Sequence, residues 1–181
     1  GTLTTGLMQV IEVVPAVGVD QAELLAMAGA VEDGSEHPIG AAIAEAARAA
    51  SGTRHEIADF RAIPGLGVEA MVDARTVAAG RLEWLADAWA CPLPDELDAQ
   101  VRRAHDAGRT VIAVAWDGAT RGVVVVADTL RPSSVTAVTE FRGLGLTPML
   151  LTGDNERAAN AIAAEVGIDS QDVVAGVLPE G

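Results

Sequence analysis

"TVIAVAWDGATRGVVVVAD", residues 110–128, contains two apolar runs, "VIAVAW" at 111–116 and "VVVVA" at 123–127, joined across Asp117 and Gly118. Asp-Gly is a dipeptide that two-residue hairpin turns favour, because both central residues must take positive φ. The stretch therefore predicts an antiparallel pair of strands. Upstream of it, "DELDAQVRRAHDAG" (95–108) reads as a helix stopped by Gly108, and "RLEWLADAW" (81–89) as a short helix broken by Pro92 and Pro94. From 57 to 80 the pattern is of short strands, "IADFRAIPG" and "GVEAMVDARTVAAG", with a hairpin at "DAR" (73–75). Further upstream, "GLMQVIEVVPAVG" (6–18) has strand composition. Asp20, with Glu23 three residues on, has the capping-box spacing ahead of a helix, and a second helix runs from about His37 to Gly52. Residues 6 to 127 thus predict an α+β fold in which an antiparallel sheet is covered by helices.

After Asp128 the grammar changes. "RPSSVTAVTEFRGLG" reads as a helix with Pro132 in its first turn, "LTPMLL" as a short strand, "TGDN" as a polar turn, "ERAANAIAAEVG" as a helix and "DVVAGV" as a strand. Helix, strand, helix, strand is half of a doubly wound α/β unit, whose ligands bind at the carboxyl ends of strands. Thr152, Gly153 and Asp154 lie at such an end.

The bulk composition narrows the function. At 181 residues the chain can bury a real core, and half of its residues are hydrophobic, yet no apolar run approaches the roughly 18 residues needed to cross a bilayer. The net charge is −14, and all 12 basic residues are arginine. That balance argues against nucleic acid or an anionic membrane surface as partner. The one cysteine, Cys91, excludes a disulfide framework and a Cys-built zinc site and fits a reducing compartment, with the cytoplasm as the default. His37, His55 and His105 show no metal-ligand spacing.

Three stretches could carry chemistry. In "TGDN" (152–155) a glycine allows a sharp turn, Asp154 can face a magnesium ion, and the following helix offers its N–H groups to an anion; ordinary turn and capping chemistry explains the same residues. In "PGLGV" (64–68) Gly65 and Gly67 let a backbone approach a ligand closely, though a β-turn or bulge needs them equally. In "VEDGSEHPIG" (31–40) Ser35 can cap a helix with Glu36, His37 and Pro38 in its first turn. A neutral imidazole held there suits stacking on, or hydrogen bonding to, a flat base, and Glu32 can accept from an exocyclic amine; the alternatives are a structural histidine and a solvated acid.

The order "GTLTTG", "SEHPIG", "PGLGV", "AAGRLEW", "DTLRP", "LLTGDN" resembles the nucleotide-binding domain of heavy-metal P-type ATPases, over essentially the whole chain. The resemblance implies residues 1–7 as the start of a phosphorylation domain, 8–126 as the nucleotide-binding domain, and 127–181 as a partial, incomplete phosphorylation domain of the haloacid-dehalogenase (HAD) type. It implies that His37 packs on or orients adenine, that Glu32 meets its amino edge, and that Gly65, Gly67 and Val68 bring the backbone near ribose and phosphates. Gly80 matches the family's Gly-Asn pair, but Arg81 stands where asparagine is usual, and an arginine there either reaches a phosphate or points to solvent. Thr2, Asp128, Arg131, Thr152, Gly153 and Asp154 match positions that surround the γ-phosphate and Mg2+ in the complete enzyme.

In that family the phosphorylated aspartate belongs to a DKTGTLT motif, of which this chain carries only the last letters, so no catalytic residue is expected within it. The resemblance thereby implies an excised piece that binds ATP or ADP without turnover, its partners being the remaining phosphorylation, actuator and transmembrane domains of one polypeptide. It would be a cytoplasmic domain of an integral membrane protein, with copper as first candidate cargo and zinc, cadmium or cobalt next. Exposed edges are expected in 128–181. The rival readings are a soluble HAD-type phosphatase, which leaves "SEHP" and Gly-x-Gly unemployed, and a nucleotide-sensing module.

Overall fold

The computed structural model describes residues 2–51, 55–153 and 156–177. Its elements run β1 (Thr4–Pro15), α1 (Gln21–Glu32), α2 (Pro38–Ser51), β2 (Ile57–Ile63), β3 (Gly67–Val72), β4 (Arg75–Gly80), α3 (Leu82–Trp89), a 3-10 turn at Asp95–Leu97, α4 (Asp98–Asp106), β5 (Thr110–Trp116) and β6 (Ala119–Leu130). They continue with α5 (Pro132–Gly143), β7 (Leu150–Leu151), α6 (Glu156–Val166), a 3-10 turn at Ser170–Asp172 and β8 (Val173–Val174). The chain divides into two compact units. One is Met8–Ala104 with Thr110–Ala127; the other holds the described residues of Gly1–Leu7, His105–Arg109 and Asp128–Gly181.

In the larger unit the sheet order is β1-β6-β5-β4-β3-β2, and every pair from β2 to β6 is antiparallel. Both tight hairpins form where the sequence placed them: Asp117 and Gly118 take φ of 51° and 72°, Asp73 and Ala74 take 47° and 66°. The central strands have no polar face because helices cover both sides. Val124, Val126, Ile112 and Val114 pack against Leu24, Val31 and Ile43 of α1 and α2, whereas Val123, Val125, Val111 and Ala113 pack against Leu85 of α3, Leu97 of the 3-10 turn and Val101 of α4. An unbroken valine run therefore serves two cores through the twofold alternation of a strand.

Local signals hold with two adjustments. Asp20 caps α1, its carboxylate accepting from the amides of Ala22 and Glu23, both at 3.0 Å. The reciprocal arm of a capping box is absent because Glu23 turns instead to Arg75, at 3.0 Å. The change of grammar expected at Asp128 falls inside a strand, since β6 runs on to Leu130.

The smaller unit has its own core of Val138, Ala163, Val166 and Ile168, with Leu3, Leu130, Leu150 and Val173 against it. Its strands β7 and β8 are parallel and only two residues long each, as expected of a piece of an α/β sheet. Leu151 and Met149 are about two-thirds exposed there.

Candidate functional site

The link between α1 and α2 brings together Glu32, Ser35, His37 and Gly40. Glu32 is the last residue of α1 and only 5% exposed. Burial pushes its carboxyl up to about 7, partly opposed by a hydrogen bond from the Ser35 side chain. A β-carbon on Gly40 would collide with Glu32 Oε2 and lie 2.7 Å from Ser35 Oγ, so the absence of a side chain at 40 makes the space that the carboxyl occupies. Glu32 is thus neither a solvated acid nor a charge on the surface.

His37, not Ser35, is the helix cap. Its carbonyl accepts the amide of Ala41 at 3.0 Å, its Nδ1 accepts the amide of Ile39 at 3.2 Å, and Pro38 occupies the first helical position. Ser35 instead accepts the His37 amide on its Oγ, at 3.3 Å, so the hydroxyl expected to cap α2 holds the residue that does. An Nδ1 that accepts carries no proton, which leaves the proton on Nε2. The residue is exposed, and with Nδ1 engaged by the Ile39 amide the Nε2 is the ring nitrogen left to donate to a ligand.

The second group lies where β3 meets β4. The register pairs Gly67 with Gly80, the amide of Arg81 donates to the Leu66 carbonyl at 2.8 Å, and the Leu66 amide donates to Ile63 at 3.0 Å. A Cβ on Gly67 would lie 2.6 Å from the Trp84 ring and 2.7 Å from the Gly80 Cα; one on Gly80 would meet the same ring at 2.8 Å. Both glycines are therefore demanded by close packing of two backbones under an indole. Gly65 differs: its φ is +75°, and nothing lies within 4 Å of where a Cβ would stand. Val68 is buried in the same core as Val31, and its neighbours on both sides are paired strands, β2 and β4. Val31 adjoins Glu32 and Val68 adjoins Gly67, so one core underlies both groups of residues.

The remaining sequence candidates gather in the smaller unit. Asp128 Oδ1 accepts the Gly6 amide at 3.0 Å, and Arg131 Nε donates to the Thr4 carbonyl at 3.1 Å while its own amide donates to Leu3, next to the exposed Thr2. Thr152 follows β7, its amide donating to Val174 and its carbonyl accepting from Val177, both at 3.0 Å; Gly153 lies against the Val177 carbonyl. Asp154 lies outside the described residues. Among the described residues no group of three or more His, Cys, Asp or Glu could hold a metal ion.

The family model of the haloacid dehalogenase-like hydrolases matches residues 1–181. The chain belongs to this family. Within the haloacid dehalogenase-like hydrolases it is similar over its whole length to heavy-metal P-type ATPases. It is 43% identical to a "Copper-exporting P-type ATPase" of Mycobacterium tuberculosis over 100% of this chain and 23% of that one. It is 40% identical to a "Zinc/cadmium/lead-transporting P-type ATPase" of Escherichia coli over 99% of this chain and 23% of that one. Among solved structures it matches a zinc-transporting PIB-type ATPase in the E2.Pi state with a TM-score of 0.86 and 36% identity, covering 99% of this chain and 28% of the other. The N-domain of HMA8, a copper-transporting P-type ATPase, matches with a TM-score of 0.55 and 30% identity, over 65% of this chain and 97% of that one. The chain spans about a quarter of the length of the curated relatives it matches.

Sequence reasoning misses Gly40 and Trp84 in this haloacid dehalogenase-like hydrolase, although signals for both exist. A glycine in the first turns of a helix is about 1 kcal/mol worse than alanine and so calls for a packing reason. Fixing the 73–74 turn sets Gly67 opposite Gly80, and Trp84 lies one helical turn beyond.

Proposed function

We propose that this chain is the ATP-binding portion of a heavy-metal cation-transporting P-type ATPase, holding ATP for phosphoryl transfer to an aspartate supplied by another part of the same polypeptide. The observation that carries the reading is the Glu32–His37 pair: a buried carboxyl and an Nε2–H left to donate, complementary to the donor and acceptor edge of a neutral base. Adenine has an exocyclic amine for Glu32 and a ring face or ring nitrogen for His37. Gly65 keeps an open, side-chain-free turn for ribose and phosphates, with Gly67, Val68 and Gly80 forming the wall behind it.

Residues 8–126 are the proposed nucleotide-binding domain, supported by the match to an isolated N-domain, and 1–7 with 127–181 are proposed as parts of the phosphorylation domain. There Thr2, Asp128, Arg131, Thr152, Gly153 and Asp154 would face the γ-phosphate. Mg2+ would arrive with the nucleotide and neutralise phosphate charge. The chain's own contribution is positioning: it orients the base and lets the phosphates extend toward the acceptor. No described helix is long and apolar enough to cross a membrane. Membrane-spanning segments and the cytoplasmic placement of this portion are proposed from the relatives. Their names divide between copper and zinc, cadmium or lead, and copper is the proposed cargo because it is named for the relative that is 43% identical.

The test is isothermal titration of ATP, ADP and GTP against the wild-type chain and His37→Gln, with and without Mg2+. Adenine-selective binding that depends on His37 and not on Mg2+ is the expected result. Binding indifferent to the base and to the substitution would return both residues to a structural role and favour the phosphatase reading.

A further inference from the structure

Ser35 lies between the two residues proposed to meet the base and is bonded to both. Its amide donates to the Glu32 carbonyl at 2.9 Å, its Oγ accepts the His37 amide at 3.3 Å, and its hydroxyl hydrogen-bonds the Glu32 carboxyl. A hydroxyl has one proton to give. With the His37 amide donating to Oγ, the Ser35 proton is left for the carboxylate. Both side chains converge on one small space, since a Cβ on Gly40 would collide with Glu32 Oε2 and lie 2.7 Å from Ser35 Oγ. Charged groups of the elements packed on α1 are engaged elsewhere: Arg48 of α2 pairs with Asp33, Arg61 of β2 with Glu69 of β3 at 3.7 Å, and Arg75 of β4 with Glu23 at 3.0 Å. Glu45 of α2, Asp59 of β2, and Glu36 and His37 of the linker are exposed. The influences on the Glu32 carboxyl are burial, which raises it, and the Ser35 hydroxyl, which lowers it.

We infer that Ser35 is a positioning residue of the base site, its hydroxyl holding the Glu32 carboxyl as an acceptor and so setting the preference for a 6-amino over a 6-oxo purine. The inference rests on the proposed nucleotide site and adds what makes that site choose between bases. Ser35 acts through Glu32 and is assigned no contact with the ligand. An O–H donated to a carboxylate favours its ionised form. Ionised, the carboxylate only accepts, which suits the amine of adenine and repels the carbonyl oxygen that hypoxanthine carries at the same ring position. Protonated, the carboxyl can donate to that oxygen, and the discrimination fades. Burial favours the protonated form and Ser35 opposes it, so the hydroxyl keeps the acceptor available near neutral pH.

The experiment is calorimetric titration of ATP and inosine triphosphate into wild type, Ser35→Ala, Ser35→Thr, Ser35→Cys and His37→Gln, from about pH 6 to about pH 8.5. Wild type is expected to prefer ATP, and more strongly as pH rises. Ser35→Ala is expected to lose about tenfold of that preference at about pH 7 and to regain it toward the upper limit, where the carboxyl ionises unaided. Ser35→Thr keeps the hydroxyl and should stay close to wild type. Ser35→Cys keeps the volume with a weak donor and carries the same comparison if Ser35→Ala does not fold. A serine that only braces the linker would lower both nucleotides together at every pH when replaced, and that result would overturn the inference. ATP binding that is lowered by His37→Gln, with a preference unchanged in Ser35→Ala and Ser35→Cys, would overturn it while leaving the nucleotide reading intact. Absence of binding of either nucleotide to wild type, or equal binding of both at every pH, would overturn both.

Discussion

The Nδ1 of His37 accepts the amide of Ile39 at 3.2 Å, so the side chain proposed to meet the base also starts α2. Folding and recognition can be separated by choosing replacements that keep one role. Asparagine is a good N-cap and lacks the imidazole, whereas alanine can do neither. His37→Asn is therefore expected to unfold in urea at the wild-type midpoint while losing adenine selectivity. His37→Ala should lose the selectivity and about 1 kcal/mol of stability as well. Equal destabilisation by both replacements would mean that the Nδ1 contact is not a cap.

Glu32 links stability to pH. Its carboxyl is raised from 4.5 to about 7 in the folded chain, so between those values the native state holds a proton that the unfolded state has released. Stability from this group is full below the unfolded value and is lost as pH rises through about 7, a loss of about 3 kcal/mol at most. Glu32→Gln removes the charge and should be more stable than wild type at about pH 8.5, with the difference shrinking toward about pH 5. Urea titrations at the two pH values measure it. A difference that does not change with pH would exclude a raised carboxyl.

The proposed nucleotide binding has the opposite sense. An exocyclic amine donates to the ionised carboxylate and favours it, so adenine binding releases a proton from Glu32 where the free site holds one. Affinity for ATP should therefore rise from about pH 6 to about pH 8, and Glu32→Gln should remove most of that rise. Calorimetry in buffers of different ionisation enthalpy counts the released protons directly. Proton uptake on binding would reverse the assigned role of Glu32.

Hairpins and helix ends were legible because their causes are local. Asp117-Gly118 must turn wherever it lies between strands, and Pro38 must begin a helix or interrupt one. The assignment of capping to Ser35 failed for a reason of the same scale: Ser35 and His37 both offer acceptors to nearby amides, and only the path of the chain decides which amide each reaches. The burial of Glu32 could not be read from "VED", because the cover comes from Gly40 and Ser35 after the chain has reversed. The glycine pair had a double reading in the sequence, ligand or turn, and the structure adds a third cause, an indole lying on both.

That third cause separates the glycines experimentally. A Cβ at 67 would meet Trp84 at 2.6 Å and Gly80 Cα at 2.7 Å, and one at 80 would meet Gly67 Cα at 2.8 Å, with backbone that cannot yield on either side. Gly67→Ala and Gly80→Ala should each cost about 3 kcal/mol, the upper end for overpacking a core. Gly65→Ala meets open space and suffers only from its φ of +75°, which costs about 1 kcal/mol. Thermal unfolding followed by tryptophan fluorescence ranks the three. Adding Trp84→Ala to Gly67→Ala isolates the source of the strain: removing the indole should relieve part of the clash, and the remainder belongs to the strand pairing. Full relief would mean that Trp84 alone requires the glycine, and equal costs at 65 and 67 would mean that packing does not distinguish them.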